Sequence, residues 1–179
     1  IVLVPLGVGL GVGIGQAAGL VSAVGTNAQT PAPCVAEYFP PERLHELLPL
    51  ADVLVLAVKP QYMAEMLTAL TATLGDYQHK LVISIAAGIR TDSLSGWLGG
   101  HQRIVRVMPN TPALVQAGVS GLFAAAGVPE TDRAAADRVL RAVGTVVWVD
   151  TEAKIDAVTA ISGSGPAYVF YFIESLMQA

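Results

Sequence analysis

Apolar residues fall in short continuous runs separated by polar turns, and most runs are followed by apolar positions at helical spacing. Val53-Leu54-Val55-Leu56-Ala57-Val58 is the clearest run. It has no alternation of polar and apolar positions, the pattern of a parallel strand buried on both faces. Lys59-Pro60 ends it, and Met63, Met66, Leu67, Leu70 and Leu74 then recur three or four apart until Gly75, predicting a helix. Leu81 to Ile85 predicts a second strand, Ala86-Ala87-Gly88 a turn, and Thr91 or Asp92 the cap of a short helix through Leu98. Further strands are predicted at Arg103 to Met108, Val119 to Phe123 and Thr145 to Val149. A helix from about Pro129 to Val143 precedes the last of these. This alternation predicts an α/β fold with a doubly wound, mostly parallel, Rossmann-like sheet.

The two ends read differently. Ile1 to Leu6 is an apolar strand that runs into glycines at alternate positions from Gly7 to Gly15. Within this stretch Gly13-Ile14-Gly15-Gln16-Ala17-Ala18 fits the G-x-G-x-x-A turn, in which Gly13, Gly15 and Ala18 let backbone approach a pyrophosphate. Gly7-Val8-Gly9 follows the strand more directly, so the register stays open. Ile1 to Gly25 is also apolar enough to suggest a membrane helix, but no Lys or Arg flanks it before Arg43. From Gly25 to Pro41 the composition reads as loop, and Glu42 to Leu50 as a short helix. After Asp150 the strand pattern stops. Two helical patterns, Thr151 to Ile161 and Pro166 to Ala179, flank Ser162-Gly163-Ser164-Gly165-Pro166-Ala167-Tyr168, where two glycines and a proline predict a break. Residues 1–150 are thus expected to form a dinucleotide-binding domain, and 151–179 the start of a C-terminal helical domain cut inside its second helix.

Composition narrows the partners. The chain of 179 residues is 53% hydrophobic and only 13% charged, with a net charge of −4 and no Lys/Arg cluster. That balance disfavours a nucleic acid or an anionic membrane surface and favours a small molecule. Cys34 is the only cysteine, so no intrachain disulfide forms and a reducing cytoplasm is the expected compartment. His45, His79 and His101 lack metal-ligand spacing, and no metal is expected. No Ser-His-Asp, Cys-His or paired-carboxylate arrangement stands out, so no side chain is assigned as catalytic.

In open α/β sheets ligands bind beyond the carboxyl ends of the strands. Three loops qualify by position: Ala57-Val58-Lys59-Pro60-Gln61, Ser84-Ile85-Ala86-Ala87-Gly88 and Met108-Pro109-Asn110-Thr111-Pro112. Their small residues and prolines suit a flat cofactor lying against backbone. Lys59 meets a phosphate or simply ends a strand in solvent. Asn110 and Thr111 orient a nicotinamide or serve their own turn. Ser162 to Tyr168 is an ordinary connection or part of a substrate pocket.

Together with Asp156-Ala157-Val158-Thr159-Ala160-Ile161 ahead of that last motif, the loops resemble those of pyrroline-5-carboxylate reductase, in the same order and spacing from about residue 51 onward. The resemblance implies reduction of 1-pyrroline-5-carboxylate to L-proline with NADPH, or NADH, in a homodimer or larger assembly built through C-terminal helices. It implies that Ala57, Val58, Lys59, Pro60, Ala86 and Ala87 line the dinucleotide, with Asn110, Thr111 and Pro112 at its nicotinamide end. Ser162, Gly163, Ser164 and Gly165 are implied to border the substrate. On that placement Gly165→Val is expected to impair folding or substrate affinity more than cofactor affinity. The alternatives are a dinucleotide-binding fragment without catalysis and a related imine or β-hydroxyacid reductase.

Overall fold

The computed structural model describes residues 2–4, 22–24, 37–39, 51–73 and 77–178. Among the described residues eight strands form one sheet: β1 Val2–Val4, β2 Ser22–Val24, β3 Glu37–Phe39, β4 Val53–Leu56, β5 Leu81–Ser84, β6 Ile104–Met108, β7 Gly118–Ala124 and β8 Gly144–Trp148. Their order is β3-β2-β1-β4-β5-β6-β7-β8. The first six strands therefore follow the doubly wound 3-2-1-4-5-6 order, with the switch point between β1 and β4.

β4, β5 and β6 run parallel, as their apolar runs, broken in β6 only by Arg106, predict. β7 returns antiparallel to β6, and β8 is parallel to β7. Two features of the first half depart from expectation. Glu37–Phe39 is a strand, parallel to β2, where the composition of residues 25–41 read as loop. The aromatic pair Tyr38-Phe39 has the β preference that the surrounding Thr, Asn, Pro and Ala residues conceal. β1 is antiparallel to both β2 and β4, unlike the parallel start that a G-x-G-x-x-A unit requires. Gly13, Gly15 and Ala18, the expected helix at 42–50 and most of the Gly-rich apolar run lie outside the described residues. Among the described residues no helix is long and apolar enough to cross a membrane.

Successive strand residues point to opposite faces, so the continuous apolar runs feed two cores. On one face Leu54, Leu56, Val82 and Ile104 pack with Met63, Leu67 and Leu70 of α1 (Pro60–Thr73) and with Leu94 of α2 (Thr91–Trp97). On the other, Val53, Ile83, Val105, Val107 and Leu122 meet Ala135, Ala136, Val139 and Leu140 of α3 (Glu130–Arg141). Arg103 holds the start of α3 through a two-pronged bond to the buried Asp132, with both N–H···O distances 2.6 Å. Beyond β8 the chain forms α4 (Ala153–Val158), a π-helical turn over Thr159–Gly163, and α5 (Gly165–Gln178).

The predicted break at 162–168 overlaps a π turn over Thr159–Gly163, and Gly165 to Tyr168 are already in α5. Ser164 N donates to Thr159 O at 2.8 Å, the i to i−5 bond that accommodates one extra residue. Pro166 stands at the second position of α5, where the missing N–H leaves no helical bond unmade. Pro and Gly punctuation marked the C-terminal end of the irregularity and missed its start at Thr159. Its form follows from backbone bonding that this punctuation does not specify.

A buried histidine sits where α2 hands over to β6. His101 is fully buried, and its Nδ1 lies 3.2 Å from Gln78 Oε1. Burial pushes its pKa below the ordinary histidine value. Between the folded and unfolded pKa values the unfolded chain binds the extra proton, so this contribution to stability is complete above the unfolded pKa and is lost as pH falls. Stability should thus decrease on acidification from pH 7, by up to about 1.4 kcal/mol per pH unit within that window. Urea unfolding at pH 7 and pH 5 should show the decrease in the wild type and a flatter dependence in His101→Asn, which keeps a hydrogen-bonding group near the Nδ1 position. Equal pH slopes for the two proteins would contradict the assignment.

Candidate functional site

Parallel pairing of β4, β5 and β6 brings their carboxyl ends to one edge. Registers Leu56↔Ser84 and Ser84↔Arg106 set the loops that follow side by side. Ile85 N donates to Leu56 O at 3.2 Å, tying the first two loops together. Ala57, Lys59 and Pro60 are exposed, with Val58 partly covered. Ala86 is buried, whereas Ala87 and Gly88 are exposed. Gly88 has φ +76°, and a Cβ built there meets nothing within 4 Å, so this turn combines left-handed backbone with open space. The edge presents small side chains and accessible backbone to whatever lies against it.

The third loop is more constrained. After Pro109, residues Thr111–Val115 form a 3-10 turn, with Ala113 N donating to Asn110 O at 3.1 Å and Gln116 in the left-handed conformation at φ 59°. Asn110 Oδ1 accepts from Val119 N at 2.9 Å, which closes the turn onto β7. Asn110 Nδ2 donates to Ser162 Oγ at 3.2 Å. The side chain thus serves its own turn with one end and reaches the π turn with the other. Thr111 is exposed and Pro112 partly covered.

The same face seats α4. A Cβ on Gly121 would lie 2.9 Å from Val158 Cγ1, so only glycine there lets α4 approach β7 this closely. At Gly163 a Cβ would meet Met108 Cε at 2.4 Å, so the π turn also rests against the end of β6. Gly165 differs: a Cβ there meets nothing within 4 Å, and its backbone is not left-handed. Gly165→Val therefore meets no clash at its Cβ, and a side chain at Gly163 would need only the flexible end of Met108 to shift. Ser162 to Gly165 are all partly covered, beside the loop that carries Asn110.

A cluster that the strand and helix patterns did not bring out underlies this arrangement. Arg106, in the middle of β6, is 2% exposed. Its guanidinium donates to Glu152 Oε1 at 3.2 Å and to Asp156 Oδ1 at 3.0 Å. Glu152 is itself buried and accepts from Thr91 N at 2.7 Å and from Thr91 Oγ1 at 3.1 Å, with Arg90 3.5 Å away. Neither Thr91 nor Asp92 caps α2. The cap position is Arg90, which makes no side-chain bond to the helix, and the Glu152 carboxylate satisfies the free Thr91 N–H from outside. A signal existed: an arginine inside Val105-Arg106-Val107 requires buried acceptors, and Glu152 and Asp156 lie four apart on one helical face.

The strand order, the carboxyl-edge loops and the adjoining helical turn define a Rossmann-like α/β domain with a short C-terminal helical part. Comparison with known proteins gives the family. The model for pyrroline-5-carboxylate reductase dimerisation matches residues 152–179, and the model for NADP oxidoreductase, coenzyme F420-dependent, matches residues 34–88. Pyrroline-5-carboxylate reductase of Pseudomonas aeruginosa is 51% identical over 129 residues, covering 72% of this chain and 46% of that protein. The Escherichia coli enzyme is 41% identical over 138 residues, covering 77% of this chain and 50% of that protein. Among solved structures, the Plasmodium falciparum pyrroline carboxylate reductase with NADP bound superposes with a TM-score of 0.75 at 33% identity, covering 88% of this chain and 56% of that one. The Coxiella burnetii pyrroline-5-carboxylate reductase gives a TM-score of 0.69 at 42% identity, with 79% and 52% covered. The chain belongs to the pyrroline-5-carboxylate reductase family. It spans about half the length of the curated relatives it matches.

Proposed function

We propose that the natural protein at its full length reduces 1-pyrroline-5-carboxylate to L-proline with NADPH, in the cytoplasm. The observation that carries the reading is the convergence of three small-residue loops and the Ser162 to Gly165 turn on one edge, in a chain whose relatives bear that enzyme's name. When bound, NADPH supplies a hydride to the imine carbon, the C=N electron pair passes to nitrogen, and nitrogen ends protonated as the secondary amine. The loops fit such a cofactor: exposed Ala57, Ala87 and Gly88 offer backbone without bulky side chains, and Lys59 is exposed to face a phosphate.

The chain's own residues would act by holding and orienting. In this reading Ala57, Val58, Lys59 and Pro60 with Ala86 and Ala87 line the dinucleotide, and Asn110, Thr111 and Pro112 lie at its nicotinamide end. Asn110, bonded to both Val119 N and Ser162 Oγ, fixes the separation between that end and the substrate turn. Ser162 to Gly165 would border the imine with hydroxyls and backbone, and no side chain need act as an acid, because a protonated imine is already electrophilic.

α5 supports association with a second copy. Tyr168 to Ile173, Leu176 and Met177 are 47–83% exposed, an apolar surface on every side of the helix. The match of residues 152–179 to a dimerisation model names the occupant we favour, a second copy of the same chain. The assay is oxidation of NADPH that depends on 1-pyrroline-5-carboxylate, by the full-length natural protein. Turnover to proline is the expected result. NADPH binding without substrate-dependent oxidation would instead favour the non-catalytic dinucleotide-binding reading, and oxidation with other imines or β-hydroxyacids only would favour a related reductase.

A further inference from the structure

We infer that Glu152 is a positioning residue that locks the cofactor-side loop to the substrate-side turn; the inference rests on the reductase reading for what the two sides bind. Its carboxylate is a junction of three elements. Thr91, which gives it two hydrogen bonds, starts α2 only three residues after Gly88 and so anchors the loop that contains Ala86 and Ala87. Arg106 lies on β6 two residues before Met108, the residue against which Gly163 rests. Glu152 itself directly precedes α4, and Arg106 reaches α4 again through Asp156. From α4 the chain enters the π turn at Thr159, whose Oγ1 donates to Ile155 O at 2.8 Å and whose carbonyl accepts from Ser164 N.

A shift at any one of these three places therefore moves the other two. Glu152 is 8% exposed and Arg106 2%, so water offers little replacement for a lost partner. Folding alone would be served by an apolar plug between β6 and α4, since well-packed hydrophobic residues often replace buried ion clusters without loss. A charged junction instead fixes direction and register, because each bond has a required geometry. Hydride transfer depends on such register: a displacement of about 1 Å costs on the order of 100-fold in rate.

The test uses Glu152→Ala, Glu152→Gln and Thr91→Val in the full-length natural protein, with two readouts. The first is kinetic. Glu152→Ala should lower kcat for 1-pyrroline-5-carboxylate at least about tenfold while the KM for NADPH changes less than about threefold, and Glu152→Gln should recover most of the loss. The second is amide hydrogen exchange without cofactor. Exchange should accelerate together in the segment spanning 86–94 and in that spanning 159–168. A folded Glu152→Ala protein with wild-type kcat, or faster exchange around Thr91 alone, would overturn the inference. Should Glu152→Ala not fold, Thr91→Val removes one bond without stranding a charge and should give the same pattern at smaller size; unchanged kcat and exchange there would overturn it. If the wild type does not turn over this substrate, the reductase reading fails while exchange still decides the coupling.

Discussion

Replacing Arg106 with alanine should lower the unfolding free energy by about 3–5 kcal/mol, the largest stability loss expected from any single substitution here. The loss comes from what remains rather than from what is removed. Glu152 would be left buried with a negative charge and only the Thr91 donors, since Arg90 lies 3.5 Å off and is itself well exposed. Asp156 contributes little to this figure: it is 62% exposed, and water can take over from the guanidinium. Urea unfolding followed by circular dichroism measures the effect as a shift in midpoint at unchanged slope. Pairing Arg106→Met with Glu152→Gln should recover part of the loss, because no buried charge is then stranded. A midpoint within experimental error of wild type for Arg106→Ala would contradict the cluster.

On the proposed function, Asn110→Ala in the full-length natural protein should lower kcat/KM for pyrroline-5-carboxylate reduction about 100-fold, by releasing the Ser162 turn from the Asn110 loop. Two bonds are lost at once, the acceptor for Val119 N and the donor to Ser162 Oγ. Ser162→Ala separates them, because it removes the partner of Asn110 Nδ2 and leaves Val119 N bonded to Asn110 Oδ1. Its stability should stay within about 1 kcal/mol of wild type while activity falls as far as in Asn110→Ala. Steady-state kinetics beside thermal unfolding distinguish the cases. Full activity in Ser162→Ala would mean that the Ser162 bond has no part in positioning.

Much of this arrangement was legible in the residues. The runs at Val53 and Leu81 are apolar without alternation, and the run at Ile104 is broken only by Arg106; burial on both faces is the physical cause of that pattern, so strands and parallel pairing could be read together. Turns bearing Gly88, Pro109 and Pro166 were marked by residues whose backbone limits do not depend on context. Long-range partnerships were not legible. Glu152 lies 61 residues from Thr91 and 46 from Arg106, and local pattern cannot say which acid finds which base. The break at Ser162 to Tyr168 was visible as punctuation, while its π form depends on Ser164 N reaching Thr159 O. Strand β3 was obscured because three residues are too few to show a period against a Thr-, Pro- and Ala-rich background.

Asn110 was legible as a turn residue or as a ligand contact, and the fold shows the turn role together with a tie to Ser162. Lys59, Ala57 and Ala87 are exposed on the carboxyl edge, which agrees with a cofactor there without assigning its contacts. The most direct measurement is a crystal structure of the full-length natural protein with NADPH and proline. The account predicts the pyrophosphate and nicotinamide along Ala57 to Pro60, Ala86-Ala87 and Asn110 to Pro112, with proline against Ser162 to Gly165. A dinucleotide bound away from the carboxyl edge of β4, β5 and β6, or proline out of reach of the Ser162 turn, would contradict it.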